Sequence, residues 1–547
     1  MSKAAFARSV ASLILTGLSL LAAPSVRAQD SVPTVNITQG ALAGVLDNAI
    51  EIYRGIPFAA PPIGALRWRP PRPPSGWDGV RAADKFGAMC PQTPRDSYPQ
   101  WLKDHFAAVG MGEDCLSLNV WTPAERGDEP LPVMFYIHGG NMKFGSGSYP
   151  VYDGSVLASA GIVLVTINYR VGFLGRFAHP AMTRSQSGEM LVNYGLMDQI
   201  AALEWVQKNI GAFGGDPANV TIFGHSAGGV SVNHLMVTPQ SKGLFQKAIA
   251  QGSAISIDWQ RHAFERGIPG PSAPSWEDVG EDFVEHFEIS GTDAEILAAL
   301  RAFPLEPMLD YQRRQMITFN PAVDGVLIPD EVARLFEQGR QHDVPYIAGA
   351  NSWEWNQIAG APLIAKWFLA TGFLEGLTDE DLSVFDDQWT RIGVSQRWFA
   401  EALFLTSTRY LGKQHAIVAS PAWLYHVTFV PENLQGEVPG AAHGVEVPFI
   451  FGHVRARPEF HRPKVVPLTD EDLAWGDTVR DYWISFAKTG NPNGVGRPAW
   501  PEYKTESDRM LDLGTEITAR QGMNKDTLDF LEARAMVRRA AFEAARK

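Results

Sequence analysis

The sequence predicts an α/β protein: a mostly parallel central sheet with helices on both faces, built as one large domain with helical insertions. Three observations support that expectation. Leu131 to Ile137 (LPVMFYI) and Gly161 to Asn168 (GIVLVTIN) are apolar, β-branched-rich runs bounded by Pro and Gly. They lack the alternation of a half-exposed strand, as strands covered on both faces do. A third short run, Val220 to Phe223, follows a helical pattern in which Leu196, Ile200, Leu203, Val206 and Ile210 share one face. Strand, helix and strand within about 60 residues make a βαβ unit, so the sheet is mixed or parallel. Finally, the 547 residues are 45% hydrophobic and 11% aromatic, too apolar for disorder. No repeat, low-complexity tract or linker divides them, which favours one unit over the three or four domains that length alone suggests.

Along the chain, residues 1–28 stand apart. Lys3 and Arg8 precede an apolar run from Val10 to Ala23, and Val26-Arg27-Ala28 fits a small-residue cleavage site. This is the pattern of an exported chain's signal peptide. The run is shorter than the roughly 20 residues a spanning helix needs, and no later run is apolar enough to span. Removing the segment strips three cations and no acid, taking the formal charge from −13 to −16. The expected location is secreted or periplasmic, with residues 29–547 forming the folded domain. The chain has only two cysteines, Cys90 and Cys115. In an oxidising compartment the pair reads as one disulfide-closed loop, stabilising by about 3 kcal/mol in the chain-entropy model; two buried free thiols are the alternative. A zinc site wants more ligands at closer spacing.

Further strands are expected at Val344 to Gly349 and Trp423 to Phe429. The stretch 255–320 is acidic, with helical patterns at Trp276 to Phe287 and Ala294 to Phe303, broken by Pro269, Pro271 and Pro274. A second helical block covers about 367–418, and Asp526 to Lys547 reads as a final helix. The acid excess, 60 Asp and Glu against 47 Lys and Arg, argues against nucleic acid or an anionic membrane surface as partner. A small molecule fits better.

Two segments carry chemistry. Gly224-His225-Ser226-Ala227-Gly228 matches G-x-S-x-G, weak as a bare pattern but set here between a strand and Gly229 to Val237, which can be helical. Such a strand–turn–helix exposes a strained serine at a helix N-terminus. His138-Gly139-Gly140-Asn141 follows the strand ending at Ile137. Backbone N–H groups of a loop of this kind can receive the negative charge that develops on a carbonyl oxygen during acyl transfer.

With these segments in hand, the chain resembles the type-B carboxylesterase and cholinesterase family of α/β-hydrolases. The resemblance also rests on Tyr53-Arg54-Gly55-Ile56-Pro57-Phe58-Ala59, Leu66-Arg67-Trp68, Glu113-Asp114-Cys115-Leu116, Asn168-Tyr169-Arg170 and Phe213-Gly214-Gly215-Asp216-Pro217. It continues through His443-Gly444-Val445-Glu446-Val447-Pro448-Phe449 to Gly490-Asn491-Pro492-Asn493 and Trp500-Pro501. The blocks at 255–320 and 367–418 carry no matching motif and are expected as insertions over the active site.

The resemblance implies an α/β-hydrolase fold and a catalytic triad of Ser226, Glu354 and His443. Oxyanion donors would be the backbone N–H groups of Gly140, Asn141 and Ala227. It implies a Cys90–Cys115 disulfide loop and a structural ion pair between Arg67 and Glu113. Residue chemistry alone does not choose the base among 13 histidines, and Glu446, three positions after His443, is a rival acid better suited to anchoring the turn. His138, His225 and His234 read as a loop residue, the variable elbow position and a helix residue. The implied activity is carboxylic ester hydrolysis through an acyl-enzyme, on a small-molecule ester, with no cofactor or metal expected. An amide- or carbamate-preferring hydrolase and a non-catalytic adhesion homologue are the alternatives; the filled triad positions weigh against the latter. Three positions depart from the family pattern: Asn141 for Gly or Ala, His225 for Glu, and Trp355 for Gly. Trp353, Trp355, Trp367 and Phe368 raise the expectation of aromatic or bulky apolar substrate groups, with ordinary core packing as the alternative.

Overall fold

The computed structural model describes residues 32–93, 100–186, 188–258, 260–265, 274–315, 318–354, 400–454 and 467–546. The expected signal peptide, Trp355, Trp367, Phe368, Pro269, Pro271 and positions 367–399 of the second helical block lie outside them. Strands β1 (Thr34–Ile37), β2 (Gly40–Ala43) and β5 (Val80–Ala82) form a small sheet. The main sheet has 11 strands. It opens with antiparallel β3 (Val45–Asp47), β4 (Ile50–Pro57) and β6 (Ser117–Pro123), which pairs antiparallel with β8 (Val163–Ile167). From β8 the neighbours run parallel: β7 (Leu131–Ile137), β9 (Gly215–His225), β10 (Lys247–Gln251), β11 (Tyr346–Asn351), β12 (Ala422–Val427) and β13 (Arg509–Leu513). Antiparallel β14 (Ile517–Gln521) closes the far edge.

The pleat explains the apolar runs. Along β7, Val133, Phe135 and Ile137 enter one hydrophobic cluster while Met134 and Tyr136 enter another, and all five are fully buried. Helices cover the two faces accordingly. Tyr194–Asn209 and Ala227–Leu235 contribute Leu196, Leu203, Val206, Val232 and Leu235 to the first cluster. Asp470–Thr489 contributes Trp475, Val479, Tyr482, Trp483 and Phe486 to the second. A core wetted on neither side has no use for alternating polar residues.

The expected strands and helices are present with boundaries shifted by a few residues. Val220 to Phe223 is the centre of the longer β9. The acidic insertion contains helices Trp276–His286, Asp293–Ala302 and Leu305–Arg314, the first two closed by capping boxes at Ser275 and Thr292. They pack against Pro180–Ser185 and Gly172–Gly175. The final helix is Lys525–Arg546. Cys90 and Cys115 are joined, their Cα atoms 5.0 Å apart. Arg67 and Glu113 form the expected ion pair, with Arg67 Nε donating to Glu113 Oε2 at 2.7 Å. Among the described residues no helix is long and apolar enough to cross a membrane.

A second ion pair anchors the segment after β8. Arg170 Nε and Nη2 donate to Asp198 Oδ2 and Oδ1 at 2.8 and 2.7 Å, and the Arg170 N–H adds a third bond at 3.0 Å. Both side chains are at most 2% exposed. Removing one partner of such a pair strands a buried charge. Asp198→Asn is therefore expected to lower unfolding free energy by about 3–5 kcal/mol in chemical denaturation. A loss under about 1 kcal/mol would mean that Arg170 finds its compensation elsewhere.

Candidate active site

The site is assembled at the carboxyl ends of β7, β9 and β11 and in the loop after β12. Ser226 follows β9 with φ 58° and ψ −122°, a left-handed backbone that a side chain enters only under constraint. The constraint is visible atom by atom. The Ser226 N–H donates to the Gln251 carbonyl at 2.8 Å, and the Ser226 carbonyl accepts from Val230 at 2.9 Å as the helix begins. A Cβ on Gly228 would sit 2.0 Å from the Ile137 oxygen, and one on Gly224 would sit 2.6 Å from the Gly228 carbonyl carbon. Only glycine lets the helix start this close to the sheet.

Beside the elbow runs the loop from His138. Gly140, Asn141 and Met142 all have positive φ, at 115°, 53° and 55°. A Cβ on Gly139 would lie 3.2 Å from Ser226 Cβ, so the loop lies against the serine. The Gly140 carbonyl turns away to accept from Lys143 and Phe144 at 2.9 and 3.1 Å. Among the described residues, none takes up the N–H groups of Gly140, Asn141 or Ala227; the last is at the helix start, where amides have no partner within the helix. Asn141 is exposed and occupies the left-handed region that Asn tolerates better than most residues. The disulfide loop steadies this turn: Gln92, two residues after Cys90, donates to the Gly145 oxygen at 2.9 Å and accepts from the Gly145 N–H at 2.8 Å.

Glu354 and His443 lie 89 positions apart in sequence, and the structure brings them together: Glu354 Oε2 meets His443 Nδ1 in a short hydrogen bond. Their loops are stitched to each other. Trp353 N–H donates to Ala441 O at 2.9 Å, Ser352 Oγ accepts from Ala441 N–H at 2.9 Å, and Asn351 Nδ2 donates to Ala442 O at 2.6 Å. Glu354 is 1% exposed, and its other oxygen accepts the Asn351 N–H at 2.7 Å. Burial pushes the Glu354 carboxyl up to about 8 and the His443 imidazole down to about 4. Both shifts come from desolvation of the charged form, and two groups in such contact titrate as a pair. Burial thus disfavours the imidazolium, the direction a resting general base needs. Glu446 is fully buried and satisfied by Asn351 Nδ2 at 2.9 Å and Gln251 Nε2 at 3.3 Å, in keeping with an anchoring role.

The remaining histidines separate. His138 stacks on Tyr169 at 4.2 Å, and His234 Nδ1 bonds the Val230 carbonyl at 2.7 Å. His225, read from sequence as a variable position, instead lies with its ring 4.3 Å from that of His443. No periodicity announces that contact. It depends on the β9–β10 register, in which His225 sits opposite Gln251, and on the fold of the His443 loop. Among the described residues no group of three or more His, Cys, Asp or Glu is placed to hold a metal.

Comparison with known proteins identifies the family of the chain. Residues 31–366 and 381–531 match the carboxylesterase family. The chain is 31% identical over 529 residues to fumonisin B1 esterase of Sphingopyxis macrogoltabida, covering 92% of this chain and 91% of that protein. It is 34% identical to para-nitrobenzyl esterase of Bacillus subtilis (strain 168), over 88% of this chain and 95% of the relative. A solved PNB esterase superposes with a TM-score of 0.74 at 30% identity, covering 92% of this chain and all of that one.

The elbow geometry makes a prediction with a definite sign. Ala exceeds Gly in helix propensity by up to about 1 kcal/mol, yet at Gly228 the added methyl meets a backbone oxygen at 2.0 Å. Gly228→Ala should destabilise by at least about 1–3 kcal/mol, the range for overpacking, read as a lowered denaturation midpoint. A raised midpoint would show that the helix start can withdraw from β7 at little cost.

Proposed function

The chain belongs to the carboxylesterase family of carboxylic ester hydrolases, and we propose that it works through a Ser226–His443–Glu354 triad and an acyl-enzyme. The observation that carries this reading is the strained, glycine-flanked Ser226 beside a loop whose Gly140 and Asn141 amides no described residue takes up, in a site that also holds a buried imidazole–carboxylate pair. In the first half-reaction Ser226 Oγ attacks the ester carbonyl carbon while His443 accepts the hydroxyl proton. Glu354 fixes the tautomer through Nδ1 and stabilises the imidazolium as it forms. The carbonyl oxygen takes up negative charge and receives hydrogen bonds from the N–H groups of Gly140, Asn141 and Ala227. A preorganised donor of this kind is worth about 100- to 1,000-fold in rate. Collapse expels the alcohol, which takes the proton from His443 and leaves an ester on Ser226. Water then attacks by the same route, releasing the carboxylic acid and restoring the hydroxyl. The Asn141 side chain contributes no bond to this scheme; its backbone does.

The disulfide and the apolar N-terminal run support the further proposal that the chain works outside the reducing cytosol.

Ser226→Ala should abolish ester turnover while leaving the melting profile nearly unchanged, because the hydroxyl is no packing group. After treatment with an organophosphate, peptide mass spectrometry should find the adduct on Ser226. Retained turnover in the variant, or an adduct elsewhere, would overturn the assignment.

The pH dependence follows from the neutral base. Protonating His443 removes the acceptor, and burial holds its pKa down to about 4, below the ordinary 6.5. Since kcat/KM reports the free enzyme, its acid limb should fall below pH 6.5, with activity largely kept at pH 6. A limb at or above 6.5 would mean that the Glu354 carboxylate outweighs burial in setting the base.

A further inference from the structure

We propose that His225 is a positioning residue for the general base: its ring forms a wall against which the His443 imidazole is held, and it does so as a neutral group. The proposal rests on the reading of His443 as the base. The two ring centroids are 4.3 Å apart with planes inclined at 48°, and the ring of Phe404 stands edge-on to His443 at 5.4 Å. The hydrogen bond to Glu354 holds the imidazole at one nitrogen, and the flanking rings limit its swing about that bond.

The surroundings are shaped for a ring at position 225. Gly252 and Gly444 have φ of 50° and 75°. A Cβ on Gly444 would lie 2.6 Å from His225 Cε1. One on Gly252 would lie 3.2 Å from His225 Nε2 and 3.3 Å from His443 Cε1. Both glycines thus make room for the paired rings. The backbone of His225 is equally fixed, since β9 pairs with β10 up to His225 opposite Gln251 and the Ser226 amide bonds the Gln251 carbonyl.

His225 Nε2 is buried and, among the described residues, has no hydrogen-bond partner. Such a buried nitrogen is a poor place for charge. Burial and the neighbouring His443 hold its pKa down to about 3. The carboxylates acting on the two rings are Glu354, bonded to His443, and Glu446, which faces both. Among these groups His225 contributes a flat surface without a charge, so it does not help His443 to become protonated before substrate arrives. A carboxylate in its place would favour the imidazolium and move the base's titration upward.

The experiment compares His225→Phe, His225→Ala and His225→Glu on one small ester, with His443→Ala alongside. Organophosphate titration counts the folded, reactive sites, and His225→Gln replaces the alanine variant if that chain does not accumulate as folded protein. Loss of the ring should lower kcat about 10- to 100-fold, the scale of a misplaced catalytic group, with KM within about threefold. His225→Phe should restore kcat to within about threefold of the native enzyme, and His225→Glu should raise the acid limb of kcat/KM by about one pH unit or more, as an added neighbouring carboxylate does. Equal kcat in the Phe and Ala variants, whether high or low, would overturn the positioning role. An unmoved acid limb in His225→Glu would overturn the neutral role. Activity persisting in His443→Ala would sink the underlying assignment of the base instead, so the two failures are distinguishable.

Discussion

The close approach of the elbow helix to the central sheet is the constraint on which the rest of the site depends. Gly224 and Gly228 allow backbone-to-backbone contact with β7, and Gly229 does the same toward Gln251 of β10, where an added Cβ would meet the carbonyl oxygen at 2.6 Å. The helix therefore leaves the sheet at once, and the single residue joining them takes up the whole reversal at φ 58°. Strain of this kind persists only where the surroundings over-determine it. Here the surroundings are the two neighbouring strands, which pair with β9 in unbroken register just before the elbow, β7 from Val220 to Gly224 and β10 from Thr221 to His225. The same approach places the Gly139–Asn141 loop, which continues β7, beside Ser226. One packing decision thus sets nucleophile and free amides together.

Electrostatics follows from that geometry. A site made mostly of backbone and rings is poor in compensating charge, and burial displaces three of its ionisable groups toward their neutral forms. His443 and His225 are held low and Glu354 is held high, in each case by burial first. An imidazole held toward its neutral form is what a general base requires at rest. The charged state of the pair is best stabilised once substrate charge develops next to it, since the fixed amides and the imidazolium then face an oxyanion rather than solvent.

How much of this could be read from sequence differs by element, for physical reasons. β7 and β8 announce themselves because both faces are covered and every residue can be apolar. β10 is equally buried, but its sequence is KAIAQ, and Lys247 finds a partner in the side chain of Asn219 from the neighbouring strand. No local pattern reports that compensation. The helix Asp470–Thr489 was equally hidden, because Trp475, Val479, Tyr482, Trp483 and Phe486 are interleaved with Asp, Arg and Thr. Ser226 is legible because strain demands glycines at fixed offsets. His443 and Glu354 are not, since nothing in their local sequence encodes the bonds that stitch their loops together; family resemblance, not residue chemistry, selected them. The His225–His443 contact escaped both routes, because it departs from the family pattern and depends on the register between strands.

The contrast between Glu354 and Glu446 shows why neighbouring carboxylates in one fold take different parts. Both are buried, and Asn351 touches both, giving its N–H to Glu354 and its side-chain amide to Glu446. Glu446 receives a second amide from Gln251, so both of its oxygens are occupied by neutral donors that cannot move a proton. It is a fixed brace between β10, β11 and the loop of His443. Glu354 has one oxygen held by the backbone and the other turned to an imidazole. In the proposed mechanism that imidazole-facing oxygen is the difference between scaffold and chemistry. A carboxylate stabilises a developing imidazolium through an oxygen turned to it, and Asn351, bonded to both acids, holds the two in those separate roles.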